Sequence, residues 1–219
     1  MKPLRDSNEW VSMITDNEYA KQYPRINDLN VFSASTLAYE VQKQVDWKLK
    51  RSKVAWTSKT ESAMFKGKAI HEYFQTRLRR RYADTLTELE VEMSFPYKWE
   101  HLPFSEFTII GHIDAYIPNL GLLVEIKSSD YSSVISDFMR RQLGFYMVAW
   151  DRKSLDPCSE GLIVKVNDGV RLESLFRSDA IKWCSEVKSR GVECAKILDE
   201  WFATHVFEGR LREVVSETK

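Results

Sequence analysis

Between residues 86 and 127 the chain gives up helical spacing of its apolar residues for the two-residue period of extended strands, and this switch limits the folds open to it. Leu89, Val91, Met93 and Phe95 alternate with polar residues, so 86–95 reads as a strand with one apolar face. Residues 107–117 and 122–127 are two further β-rich runs, and Pro118-Asn119-Leu120-Gly121 between them is a turn signal. Helical patterns lie on both sides. Residues 7–16 carry Trp10, Val11, Met13 and Ile14 behind a cap at Ser7, and 23–30 reads as loop. Ser35 is placed to cap a helix running to about Lys50. Met64, Phe65, Ile70, Tyr73, Phe74 and Leu78 give 61–81 a helical period. Residues 134–151 return to that period, and 161–166 and 170–176 flank an Asp168-Gly169 turn as a hairpin. A long helix then opens at Ser178-Asp179, with a break expected at Gly191. This order implies an α/β chain with a central mixed sheet flanked by helices. The 219 residues suit one domain, with an N-terminal helical part to about 85 and a sheet-and-helix part over 86–219.

The chemistry-bearing stretch runs from Gly111-His112-Ile113-Asp114 to Val124-Glu125-Ile126-Lys127. Strand alternation puts Glu125 and Lys127 on one face and Val124 and Ile126 on the other. A hairpin turning at Asn119-Leu120 sets Asp114 opposite Glu125, so two carboxylates and a lysine share a patch. Charged groups inside an apolar run are costly unless they have a use. Hard carboxylate oxygens suit magnesium or manganese, which polarises a phosphoryl oxygen and acidifies water. A lysine beside them suits the charge that grows on a phosphate during hydrolysis. A surface salt bridge among the same three residues explains the short spacing equally well.

Asp114 followed by Glu125-Ile126-Lys127 resembles the PD-(D/E)XK nuclease signature, with Ile113 where that pattern often has proline. Three more stretches resemble its RecB-like branch in order: Ser33-Ala34-Ser35-Thr36-Leu37, Gly67-Lys68-Ala69-Ile70-His71, and Gln142-Leu143-Gly144-Phe145-Tyr146. The resemblance spans about residues 32–150 and implies a restriction-endonuclease-like core with an added N-terminal helical layer. It implies Asp114, Glu125, the Ile126 carbonyl and His71 as metal ligands for Mg2+ or Mn2+, and Lys127 as the residue that positions water. Gln142 would support the lysine or a phosphate, and Tyr146 would contact the substrate backbone. Ser33, Ser35, Arg77, Arg81 and Tyr146 are the expected contacts to nucleic acid. Glu90 and Glu92 lie on the preceding strand, where solvated charge is the simpler reading. The implied activity is a metal-dependent deoxyribonuclease, an exonuclease on single-stranded or end-frayed DNA, with Trp47, Trp56 or Tyr82 open to base stacking. A single-strand or structure-specific endonuclease uses the same residues, and a catalytically silent nucleic-acid-binding or assembly protein would show gaps in the set.

Composition sets the remaining bounds. Lys and Arg total 32 and so do Asp and Glu, which argues against a protein that coats long nucleic acid. A metal ion supplies positive charge locally, so a nuclease is not excluded. Basic residues cluster at 48–53 and 77–81, each readable as a solvated helix face. The iron–sulfur members of the branch carry a cysteine after the first helix motif and three more near the C-terminus. Here 39–46 holds no cysteine, and Cys158, Cys184 and Cys194 are widely spaced, so reduced core thiols without a cluster are expected. The cluster-free relatives are nucleases, many encoded by phages and other viruses or working in recombination and organelle DNA maintenance. No run reads as a membrane span or leader, which implies a cytoplasmic protein, in host cytoplasm if viral. A homo-oligomer or a recombination partner protein is compatible with the resemblance, and no residue pattern marks either.

Overall fold

The computed structural model describes residues 28–49, 58–128, 134–154 and 156–217. The expected helix at 7–16 and Trp56 lie outside them. In order they form β1 (Val31–Ser33), α1 (Ala34–Tyr39), α2 (Val41–Lys48), α3 (Ser58–Arg81), β2 (Leu86–Pro96), β3 (Glu106–Ile117), a 3-10 turn (Pro118–Leu120) and β4 (Leu122–Ser128). α4 (Asp137–Lys153), β5 (Glu160–Val166), β6 (Val170–Phe176) and α5 (Arg177–Glu217) follow. The three central strands and the hairpin fall where the alternation and turn residues put them. β1 is too short for a periodic signal, and parallel pairing with Thr108, Ile109 and Ile110 of β3 holds it.

The sheet is mixed, in the order β1-β3-β4-β5-β6, with β2 pairing on β3. Its α4/α5 side carries Ile109, Ile113, Leu123, Ile163 and the apolar face of β2, covered also by Leu37, Ala38, Val41 and Val45 of α1 and α2. The opposite side carries Ala115, Ile117, Val124, Ile126 and Val164 beneath Ile70, Phe74 and Leu78 of α3. The N-terminal helices thus supply both layers.

Two sequence expectations are corrected. The cap of the first helix is Ser33 rather than Ser35, and that helix breaks at Glu40, whose backbone is extended at φ −157° and ψ 125°. The break frees last-turn carbonyls that arginines from other helices take up: Arg190 Nη1 donates to Leu37 at 3.2 Å and Arg141 Nη1 to Ala38 at 3.1 Å. At the other end, α5 runs unbroken through Gly191. A Cβ there would lie 2.6 Å from Phe107 Cε2, so this glycine serves close helix–sheet packing rather than a break.

Candidate active site

The site is made by the way β3 shares its edges. β2 pairs with β3 from Glu106 to Tyr116 and takes one edge. On the other edge β1 pairs at residues 108–110 and β4 at residues 115–117. Residues 111–114 fall in the gap between those two partners. The β3–β4 register, Ala115 with Val124 and Tyr116 with Leu123, is the one expected from the turn. The ladder stops before it reaches Asp114 and Glu125, and a side chain replaces it: the Ile126 N–H donates to Asp114 Oδ2 at 2.6 Å.

Beyond Val124, β4 pairs with β5 through Ser128 and turns Glu125 and Lys127 to the α4 side. Glu125 is 1% exposed. Its Oε1 meets Lys127 Nζ at 2.5 Å, while Oε2 is buried with no hydrogen-bond partner. Burial pushes the Glu125 carboxyl up to about 8, helped by the nearby Asp114 charge and opposed by Lys127 and His71. Burial also disfavours the Lys127 ammonium, but the Glu125 and Asp114 carboxylates outweigh that and hold its pKa above the usual lysine value. Lys127 remains 21% exposed, so solvent reaches the pair from its side.

From the opposite layer α3 delivers His71, with Nδ1 3.1 Å from Asp114 Oδ1. Burial works against its charge, and the hydrogen bond and charge of Asp114 more than restore it, leaving the imidazole pKa raised. A Cβ at Gly67 would lie 3.0 Å from Ser128 Oγ, so this glycine lets α3 sit close to the end of β4. One turn after His71, Gln75 donates Nε2–H to the Asp114 carbonyl at 3.0 Å. The sequence reading missed Gln75; its signal was the four-residue spacing from His71, which puts both on one helix face.

Gln142 and Tyr146 also share a face, that of α4, where Gln142 Nε2 donates to the Tyr146 hydroxyl at 2.7 Å. The Tyr146 ring fills the notch left by Gly111, and burial, with the Glu125 charge adding, keeps its phenol well above the usual tyrosine range. Direct contact of Tyr146 with a substrate backbone does not fit a side chain 2% exposed. Gln142 is likewise buried. The pair lies within the α4 layer, close enough to Glu125 and Asp114 for their charges to act on the Tyr146 hydroxyl.

The remaining candidates lie around this centre. Ser33 is buried, caps α1, contacts Ser35 Oγ at 2.9 Å and donates its N–H to Gln44 Oε1; Ser35 is exposed. Arg77 and Arg81 are exposed on α3, and Arg77 lies 5.9 Å over the Tyr73 ring. Glu90 and Glu92 are exposed, with Glu90 Oε2 3.3 Å from His112 Nε2. Trp47 packs against Val31 and Ile110, and Tyr82 packs in the α3 layer, so each is partly spent on packing.

Two carboxylates, one of them with a buried and unpartnered oxygen, are the donor chemistry of a hard divalent cation. As they stand, Ile126 and His71 occupy the Asp114 oxygens and Lys127 one Glu125 oxygen. Among the described residues, no three His, Cys, Asp or Glu side chains form a ready metal-binding group.

As a sequence, the chain matches no family model and no curated protein. Its structure is similar to SSO0001, at TM-score 0.56 and 15% identity over 82% of this chain and 86% of that one. It is similar to a protein from Eubacterium rectale described as an exonuclease, at TM-score 0.52 and 13% identity over 84% and 86%. LHK-Exo in complex with dAMP is similar at TM-score 0.51 and 12% identity over 91% of this chain and all of that one. The chain shares the fold of these structures, an α/β fold with a mixed central sheet flanked by helices.

Proposed function

We propose that this chain is a divalent-metal-dependent deoxyribonuclease of the RecB-like kind, acting as an exonuclease on single-stranded or end-frayed DNA. The observation that carries the reading is the meeting of Asp114, Glu125, Lys127 and His71 in the gap between β1 and β4. The exonuclease description of the Eubacterium rectale neighbour and the dAMP held by LHK-Exo support the substrate class.

Asp114, Glu125, the Ile126 carbonyl and His71 would hold Mg2+ or Mn2+, which when bound supplies positive charge to the phosphate and acidifies water. In the hydrolysis, a water oxygen bonds to phosphorus, the ester P–O bond breaks and the leaving oxygen takes a proton. Lys127 Nζ, fixed by Glu125, orients the water and offsets the charge that grows on the phosphoryl oxygens. Gln142 and Tyr146 form the floor beneath Glu125 and act by support. Ser35, Arg77 and Arg81 are the exposed groups that would meet the DNA backbone.

The test uses Lys127→Ala with labelled linear and circular single-stranded DNA, with and without Mn2+. Single-turnover cleavage should fall by about 10²–10³-fold, because the lysine acts mainly in the transition state. DNA affinity measured in Ca2+ should hold. Near-normal cleavage by Lys127→Ala would refute the mechanism, and cutting of circles by the wild-type protein would replace exonuclease by endonuclease action.

A further inference from the structure

Asp114 occupies a stretch of β3 that strand pairing does not support. Its second edge falls in the gap between β1 and β4. On the first edge the ladder with β2 skips one pair, Glu88 with Asp114, between the pairs Thr87–Ala115 and Leu89–Ile113. Glu88 sits at φ 56°, a left-handed conformation that costs a non-glycine residue about 1 kcal/mol or more. The alternation of β3 also changes phase here. Ile113 packs in the α4/α5 layer, whereas Ala115, two residues on, packs beneath α3. The strand turns about Asp114, so its carboxylate reaches sideways to a backbone N–H of β4.

A backbone with neither ladder needs another anchor, and Gln75 supplies it. This side chain is 6% exposed and donates to the Asp114 carbonyl at 3.0 Å. With His71 Nδ1 on Oδ1 and the Ile126 N–H on Oδ2, three bonds fix one residue: two from α3 and one from β4. We infer that Gln75 is a positioning residue for Asp114, holding the backbone so that its carboxylate stays aimed between β3 and β4. The consequence for metal binding rests on the nuclease reading above; the grip on Asp114 does not.

The experiment replaces Gln75 by Leu and, to keep shape and polarity, by Glu, with Leu78→Ala on the same helix as a packing control. Two readouts are taken: Mn2+ affinity by calorimetry and amide exchange along β4 by NMR. Either Gln75 variant should lose about 10–100-fold in Mn2+ affinity, as outer residues that orient ligands do. The Ile126 amide, whose acceptor is Asp114, should exchange at least about tenfold faster, roughly one hydrogen bond's worth, with Leu123 and Val124 little changed. If Gln75→Leu fails to fold, Gln75→Glu carries the same expectations. Wild-type Mn2+ affinity and Ile126 protection in a folded Gln75 variant would overturn the inference. So would a uniform loosening of β4 matching that of Leu78→Ala. If the wild-type protein neither binds Mn2+ nor cleaves DNA while Ile126 alone responds, the nuclease reading fails and the role of Gln75 stands.

Discussion

Gly111→Ala pits two effects of opposite sign against each other at the floor of the site. The φ of Gly111 is not positive, so alanine is conformationally allowed and should stabilise by about 0.4–1 kcal/mol through the unfolded chain. The space is not there. The new Cβ would lie 2.2 Å from Tyr146 Cε1, 3.0 Å from Cζ and 3.1 Å from Cδ1. Carbon–carbon contacts are optimal at about 3.5–4.0 Å, so the nearest must open by more than about 1 Å. The ring has nowhere to go, because it is buried in the α4 layer with its hydroxyl held by Gln142. Overpacking of this kind costs about 1–3 kcal/mol, and a 2.2 Å contact with a held ring lies at the upper end, so the net expectation is a loss of about 2 kcal/mol. Urea denaturation of the single and double variants with Tyr146→Leu measures it. With the ring removed, Gly111→Ala should become neutral or stabilising, a coupling of about 1–3 kcal/mol. A Gly111→Ala protein as stable as wild type would refute the packing argument and with it the role given to Tyr146.

Burial lowers the Lys48 pKa to about 8, although Nζ donates to the Asp28 carbonyl at 2.6 Å. The folded protein then binds fewer protons than the unfolded chain between about pH 8 and 10.5, so this residue's contribution to stability rises with pH there. Lys48→Met should therefore exceed wild type by on the order of 3 kcal/mol at pH 7, less the lost hydrogen bond, and the difference should shrink by pH 10.5 in paired denaturation curves. Arg77→Ala and Arg81→Ala should each weaken DNA binding and reduce the salt slope of log K by about 0.7, the single-strand value; unchanged slopes would remove them from the interface. Burial pushes Cys158 and Cys184 up to about 11 and Cys194 to about 12, so a thiol reagent at pH 8 should react with none of the three until denaturant is added. Purified protein should also be colourless and iron-free, and a visible absorbance band with bound iron would overturn the reading of the cysteines.

Local chemistry made much of this protein legible before any tertiary information. The alternation at 86–95, the Pro118–Gly121 turn and the Asp168-Gly169 turn depend on near neighbours in the chain, and β2, the β3–β4 turn and the β5–β6 hairpin follow them. The same locality makes the β3–β4 register at Ala115–Val124 and Tyr116–Leu123 readable, because a turn's length sets the register of its hairpin. What lies across the sheet was not readable that way. Nothing near Gln75 in sequence says that it will meet a carbonyl 39 residues away, nor that Glu88 will leave the ladder opposite Asp114. The carbonyls freed by the break at Glu40 are taken up by Arg141 and Arg190, more than 100 residues further on. The resemblance implied a substrate contact at Tyr146, while the four-residue spacing shows only that it shares a helix face with Gln142 and not what that face is packed against. The sequence by itself determined strands β2 to β6 and the turns between β3 and β4 and between β5 and β6. Only the tertiary structure decided that β1 and β4 would divide one edge of β3, because strand pairing over such separations is settled by packing, and that division opens the gap in which Asp114, Glu125, Lys127 and His71 meet.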